Sequence, residues 1–175
     1  FTGVPDSVLT ALSSKIDKLN KSKHVMAVNE GNAISIGIGH YLATKKIPCI
    51  YMQNSGLGNA INPLASIAHE NVYAIPLLLV IGWRGSPNTK DEPQHMIKGK
   101  ITPKLLKILN IDYCILEQKK DFNKLDALIK KSYKKKKIVA CLLKRSTLIN
   151  KTKKNKNIKK NKFLNRKEFL IFLLN

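Results

Sequence analysis

Acidic residues are scarce in this chain: 11 Asp and Glu stand against 32 Lys and Arg in 175 residues, a formal net charge of +21. The excess is uneven. Residues 1–118 hold 12 basic and 8 acidic side chains, whereas residues 119–175 hold 20 and 3. A basic third of this kind can attract nucleic acid or an acidic membrane surface. Aromatics are also few, at 6%, and Tyr133 and Phe163 stand alone among the lysines, without the interleaving that stacks bases. The Lys, Asn and Ile bias there reads as drift at solvated positions, so nucleic acid is not the expected partner; a basic binding module stays as the alternative of another class. Long apolar runs are missing too. The longest, residues 74–81, is too short to cross a bilayer and reads as a buried strand, which sets membrane function aside. No signal peptide is visible, and the chain opens on Phe1, so it is read as a piece of a longer reading frame. Three cysteines, Cys49, Cys114 and Cys141, lie in apolar runs with no metal spacing; they are expected as reduced thiols in a cytoplasmic protein.

What is present is an alternation of helix-length amphipathic stretches with short apolar runs. Apolar residues at 8, 9, 12, 16 and 19 follow a helical period after the capping signal Pro5-Asp6-Ser7. Residues 25–28, 48–52, 75–81, 112–116 and 138–143 read as strands. Helices are expected over 29–44, 58–68 and 123–133, and from Thr102-Pro103 to Leu109, with a polar loop from Trp83 to Lys100. Short strands apolar on both sides, alternating with helices, predict an α/β doubly wound parallel sheet with helices on both faces. Residues 1–149 are expected to form one domain, and 150–162 a Lys/Asn-rich linker. The stretch 164–169 resembles a capped helix start, as if another domain followed.

In such sheets ligands bind beyond the carboxyl ends of the strands, and three polar or Gly-rich loops leave such ends here: 28–32, 53–59 and 82–95. Glu30 is a lone acid at a helix start. It could simply complement the helix dipole, but the small residues after it, Gly31, Ala33 and Gly37, allow a cofactor or helix to approach. The segment Asn54-Ser55-Gly56-Leu57-Gly58-Asn59 can offer backbone amides to an anion, or serve only as a tight turn; it is neither a Walker loop nor a dinucleotide fingerprint. Ser55 has no evident His base, so a hydrolase triad is unsupported. His95, in the third loop, could shuttle a proton or bind a carboxylate. Arg84 could grip an anion in bidentate fashion or pair with Asp91 or Glu92. His24, His40 and His69 read as surface or packing positions.

Taken together, the strings Asn29-Glu30-Gly31-Asn32-Ala33, residues 51–64 (YMQNSGLGNAINPL), Ile81-Gly82-Trp83-Arg84-Gly85 and Lys90-Asp91-Glu92-Pro93-Gln94-His95 resemble the thiamine-diphosphate-dependent phosphonopyruvate and sulfopyruvate decarboxylases. The last string favours the phosphonopyruvate type. The resemblance runs over about residues 1–145 and implies the pyrimidine-binding domain of that family. It implies that Glu30 faces N1′ of the aminopyrimidine and shares a proton with it, and that Asn54, Ser55, Gly56, Leu57 and Asn59 line the cofactor pocket. It also implies that Gln94, His95 and Arg84 lie near the substrate, and that Asp6 belongs to an active-site loop, making Glu30, His95 and Asp6 the catalytic candidates. The reaction implied is loss of carbon dioxide from a 2-oxo acid, with thiamine diphosphate and Mg2+ as cofactors.

One departure limits this. The family's metal and diphosphate motif begins Gly-Asp-Gly, and no Asp in this chain follows a Gly. No metal ligand is therefore assigned here. Mg2+ and the diphosphate are expected on a diphosphate-binding domain or subunit, in a homo- or hetero-oligomer with its active site between chains. A non-catalytic assembly domain is the remaining alternative.

Overall fold

A computed structural model describes residues 1–145 and 147–148, with the backbone of 149 and 164–165. Its strands are β1 (Thr2–Gly3), β2 (Val25–Met26), β3 (Cys49–Gln53), β4 (Leu78–Trp83), β5 (Asp112–Leu116) and β6 (Val139–Lys144). They form one sheet in the order β2-β1-β3-β4-β6-β5, every pair parallel. The expected α/β parallel architecture is what the chain adopts.

Side chains alternate along the strands, and both faces are buried. Ile50, Met52, Leu79, Ile81, Trp83, Ala140 and Leu142 face one core; Tyr51, Leu78, Val80, Val139, Cys141 and Leu143 face the other. The first core is covered by α2 (Glu30–Thr44), α3 (Leu57–Pro63) and α4 (Pro93–Ile108), the second by α1 (Thr10–Ile16) and α5 (Phe122–Lys135). Continuous apolar strands such as Leu78–Trp83, buried throughout, are the sequence mark of this two-sided cover.

Because β2 lies on one side of β1 and β3 on the other, the chain reverses its direction of travel between β1 and β3. The connections leaving those two strands part to opposite faces, with α1 on one and α3 on the other. A crevice opens at the carboxyl ends where they separate, the ligand position of open α/β sheets.

Three expectations change. The two-residue strand β1, unmarked in the sequence pattern, inserts between β2 and β3. The strand expected at 25–28 pairs only over Val25–Met26. The largest change is α4: it starts at Pro93, so the polar loop expected to reach Lys100 ends at Glu92, and Pro103 lies inside the helix rather than at its start. Proline at 103 has no N–H for the Gly99 carbonyl four residues back. That carbonyl instead accepts the Trp83 indole Nε1–H at 2.9 Å, so the helix passes through the proline with its buried acceptor satisfied.

Among the described residues, no helix is long and apolar enough to cross a membrane. All three cysteines are free; Cys114 and Cys141 are buried and face each other across β5 and β6. Beyond the sheet, Leu148–Ile149 (β7) pairs in parallel with Leu164–Asn165 (β8), so the expected helix start at 164 begins as a strand. The linker expected over 150–162 and the segment 166–175 lie outside the described residues.

Candidate functional site

Asp6 follows β1 and is buried in the crevice. Its Oδ1 accepts Gln53 Nε2 from the end of β3 at 2.7 Å, and its Oδ2 accepts the Val8 backbone N–H at 3.1 Å. Gln53 Oε1 in turn accepts Ser55 Oγ at 2.6 Å. The carboxylate sits over the end of β4 because residue 82 is glycine: a Cβ there would lie 1.9 Å from Asp6 Oδ2. A chain of hydrogen bonds, Ser55 to Gln53 to Asp6, thus spans the switch point. Gln53 was absent from the candidates, although its place as the last residue of β3 marked it as facing the crevice.

Glu30 opens α2. Asn29 caps this helix, its Oδ1 accepting the Asn32 N–H at 2.9 Å, so the dipole-facing role open to an acid here is shared with a neutral cap. The Glu30 carboxylate does not fold back on its own helix. It crosses to the turn after β3, where Asn59 Nδ2 donates to Oε2 at 2.8 Å. Oε1 lies in the space a side chain at 56 would fill, 2.2 Å from an ideal Cβ on Gly56. Glu30 is half-buried and Asn59 exposed, so the pair stands at the open edge of the crevice. The structure therefore joins three sequence candidates, Glu30, Gly56 and Asn59, in one cluster.

The other candidates are placed differently. Asn54 is buried, and its amide links three elements: Oδ1 accepts Arg84 N at 3.1 Å, while Nδ2 reaches Arg84 O and Thr102 Oγ1, each at 3.0 Å. It is a clamp between the ends of β3, β4 and α4, with no donor left over for a ligand. Leu57 is buried in the core and exposes no face to the crevice. Arg84 Nε and Nη2 grip Asp91, with Nε to Oδ2 at 2.8 Å, and Asp91 also accepts the N–H groups of Gly85 and Glu92, each at 2.9 Å. The guanidinium beside it holds the Asp91 carboxyl well below the usual carboxylate range. The fork that could grip an anion is therefore occupied, and only Nη1 points elsewhere, to Ser7 Oγ at 3.2 Å.

Gln94 and His95 lie in the first turn of α4, not in a long loop. Gln94 is exposed; His95 is half-buried, and its Nδ1 has no hydrogen-bond partner among the described residues. His24, His40 and His69 have local partners in Tyr51, Thr44 and the Asn71 backbone.

Charge in the basic third is partly neutralised. Lys124, Lys130, Lys131 and Lys137 pair with Asp121, Asp126, Asp112 and Glu70. Among the described residues no group of three or more His, Cys, Asp or Glu could hold a metal ion.

Residues 1–106 match the family model described as thiamine pyrophosphate enzyme, N-terminal TPP binding domain. The chain belongs to this family. Within it, the chain is 36% identical over 119 residues to a phosphonopyruvate decarboxylase of Streptomyces viridochromogenes, covering 68% of this chain and 29% of that protein. It is 38% identical over 109 residues to the sulfopyruvate decarboxylase subunit alpha of Methanocaldococcus jannaschii, covering 62% of each. The benzoylformate decarboxylase of Polynucleobacter necessarius shares the fold, with a TM-score of 0.58 over 90% of this chain and 30% of that one, at 17% identity. The chain thus spans under a third of the phosphonopyruvate relative and just over three fifths of the sulfopyruvate subunit. The Glu30 cluster, the Asp6–Gln53 bridge and the Asn54 clamp all lie inside the part that matches the thiamine pyrophosphate family.

Proposed function

We propose that residues 1–149 form the pyrimidine-binding side of a thiamine-diphosphate-dependent 2-oxo acid decarboxylase that converts 3-phosphonopyruvate to phosphonoacetaldehyde and carbon dioxide in the cytoplasm. The observation that carries this reading is the Glu30 carboxylate, laid over Gly56 with one oxygen on Asn59 and the other without a side-chain donor among the described residues.

The residues present fit the cofactor's aminopyrimidine. A carboxyl group at the edge of a crevice, backed by a glycine and fixed by one amide, can meet a flat ring nitrogen edge-on. Thiamine diphosphate, when bound, supplies the carbon nucleophile and the electron sink for loss of carbon dioxide. Glu30 would hold and exchange a proton at N1′ through the free oxygen, while Asn59 keeps the carboxylate from turning away. Asp6, fixed by Gln53 and Val8, would present a carboxylate edge to the reacting groups. His95 and Gln94 would approach the substrate from the start of α4. With its fork closed by Asp91, Arg84 would reach an anionic substrate only through Nη1. Asn54 and Leu57 would shape the pocket wall from behind.

Mg2+ and the diphosphate would be held by a partner domain or subunit, since no Gly-Asp step occurs in this chain, and the site would be completed between chains. The test combines this chain with a matching diphosphate-binding partner and measures carbon dioxide release; equal turnover by wild type and Glu30→Gln would defeat the reading. The second reading is sulfopyruvate decarboxylation, favoured by the 38% identity over 109 residues to a sulfopyruvate decarboxylase subunit alpha. Offering both substrates in the same assay separates the two.

A further inference from the structure

Helix α4 carries an apolar stripe on the side away from the core. Gly99, Thr102 and Leu106 face inward and are buried. Ile97, Ile101, Lys104 and Ile108, at offsets of four, seven and eleven residues, lie on the opposite side in one line. The three isoleucines are 71, 47 and 79% exposed. Isolated exposed isoleucines are ordinary on a surface, but three in line along one helix form a seam of the kind that receives a second helix.

The charges beside that seam say what kind of helix. Lys98, Lys100 and Lys107 flank it and Lys104 lies within it between Ile101 and Ile108; α4 contains no Asp or Glu, and none of the four lysines has an acidic partner among the described residues. This contrasts with α5, where Lys124, Lys130 and Lys131 are paired. A groove of about 410 Å³ between α4 and the edge strand β5 extends the face past Lys104 and Lys107 to Tyr113. A second copy of this chain would bring the same four lysines against these four. The chain's own segment 150–162 has no acidic residue and would be repelled likewise.

We propose that the outer face of α4 is a docking surface for an amphipathic helix of another protein, with an apolar seam flanked by Asp or Glu. The isoleucines insert into that seam and the lysines meet its acidic flanks. This surface is independent of the Glu30 cluster.

The experiment titrates the full 175-residue chain into two fluorescein-labelled peptides, read by anisotropy. One is a helical peptide with a leucine seam flanked by glutamates; the other is a scramble of the same composition, which keeps the charge and loses the seam. The seam peptide is expected to bind at least about tenfold more tightly, with amide shifts concentrated on residues 97–108. The triple variant Ile97→Ser, Ile101→Ser, Ile108→Ser changes only exposed side chains and is expected to remove that preference. A charge-reversed variant, Lys100→Glu, Lys104→Glu, Lys107→Glu, is expected to prefer a lysine-flanked seam peptide. Equal binding of seam and scramble would mean plain polycation attraction and overturn the proposal. So would a preference that survives the serine variant. Self-association of the chain alone that the serine variant abolishes, seen by sedimentation, would assign the face to a second copy and overturn it as well.

Discussion

Two polar clusters sit at the carboxyl ends of the same sheet, and they are built on opposite terms. Around Asp91 every strong acceptor position is taken, by Arg84 and by two backbone amides, and the side chain is 3% exposed. Around Glu30 one oxygen has one amide, the other rests over a glycine, and the group stands half-open at the crevice. A carboxylate with all its partners inside the fold stabilises the loop it sits in; one with an oxygen left at a crevice remains available to a ligand. Both residues are acids in polar segments that follow apolar strands, and their partners in the fold separate them.

The sharpest way to break this contrast is Glu30→Gln. It is expected to lower turnover of the reconstituted enzyme by about 10²–10⁴-fold, the usual range for a positioned proton-transfer group, while the urea midpoint of the chain stays in place. Gly56→Ala sharpens the point, since its Cβ displaces the acid without removing it. A comparable loss of turnover is expected, with thiamine binding by calorimetry weakened in parallel.

Asp91→Ala should do the reverse. Removing one partner of a buried pair and stranding Arg84 is expected to cost about 3 kcal/mol of stability, measured by urea unfolding. The pH dependence follows from the lowered pKa of Asp91. Its contribution is fully present above the unfolded carboxyl value, about 4, and is lost as pH falls toward the lower folded value. Wild type should therefore lose stability on acidification below about pH 4, and a variant without the carboxylate should lose less over that window.

Asn54→Ala tests whether the clamp is structural. Leaving the part-buried Arg84 N–H without its side-chain acceptor is expected to cost about 1 kcal/mol, with loosened protection of amides near the start of α4 by hydrogen exchange. An unchanged midpoint with lost thiamine binding would return Asn54 to the ligand side of the comparison. An effect no larger is expected at Trp83→Phe, about 1 kcal/mol for the bond to the Gly99 carbonyl. In a Pro103→Ala background, where an N–H becomes available to that carbonyl, the same change should cost less.

Much of the sheet could be read from the chain, because strands buried on both faces are apolar throughout; residues 78–83 and 139–143 could hardly be anything else. The strand Thr2–Gly3 could not, since two residues carry no period and their pairing is set by neighbours distant in sequence. The start of α4 was obscured by Pro103. A proline ordinarily opens a helix, and only the Trp83 indole, twenty residues earlier, allows this one to sit inside. In the site, Glu30, Gly56 and Asn59 stood out through glycine placement and their position after strands. Gln53 did not, because its partner Asp6 lies 47 positions away.

The sequence by itself determined that the sheet is parallel and covered on both faces, and that its polar loops gather at one end. Those follow from local period and apolar content. Tertiary structure alone decided which polar groups are already partnered. Hydrogen bonds between Asn54 and Arg84, Asp6 and Gln53, or Glu30 and Asn59 join loops that meet only when the strands are in register. That register closed Asp91 and left Glu30 open.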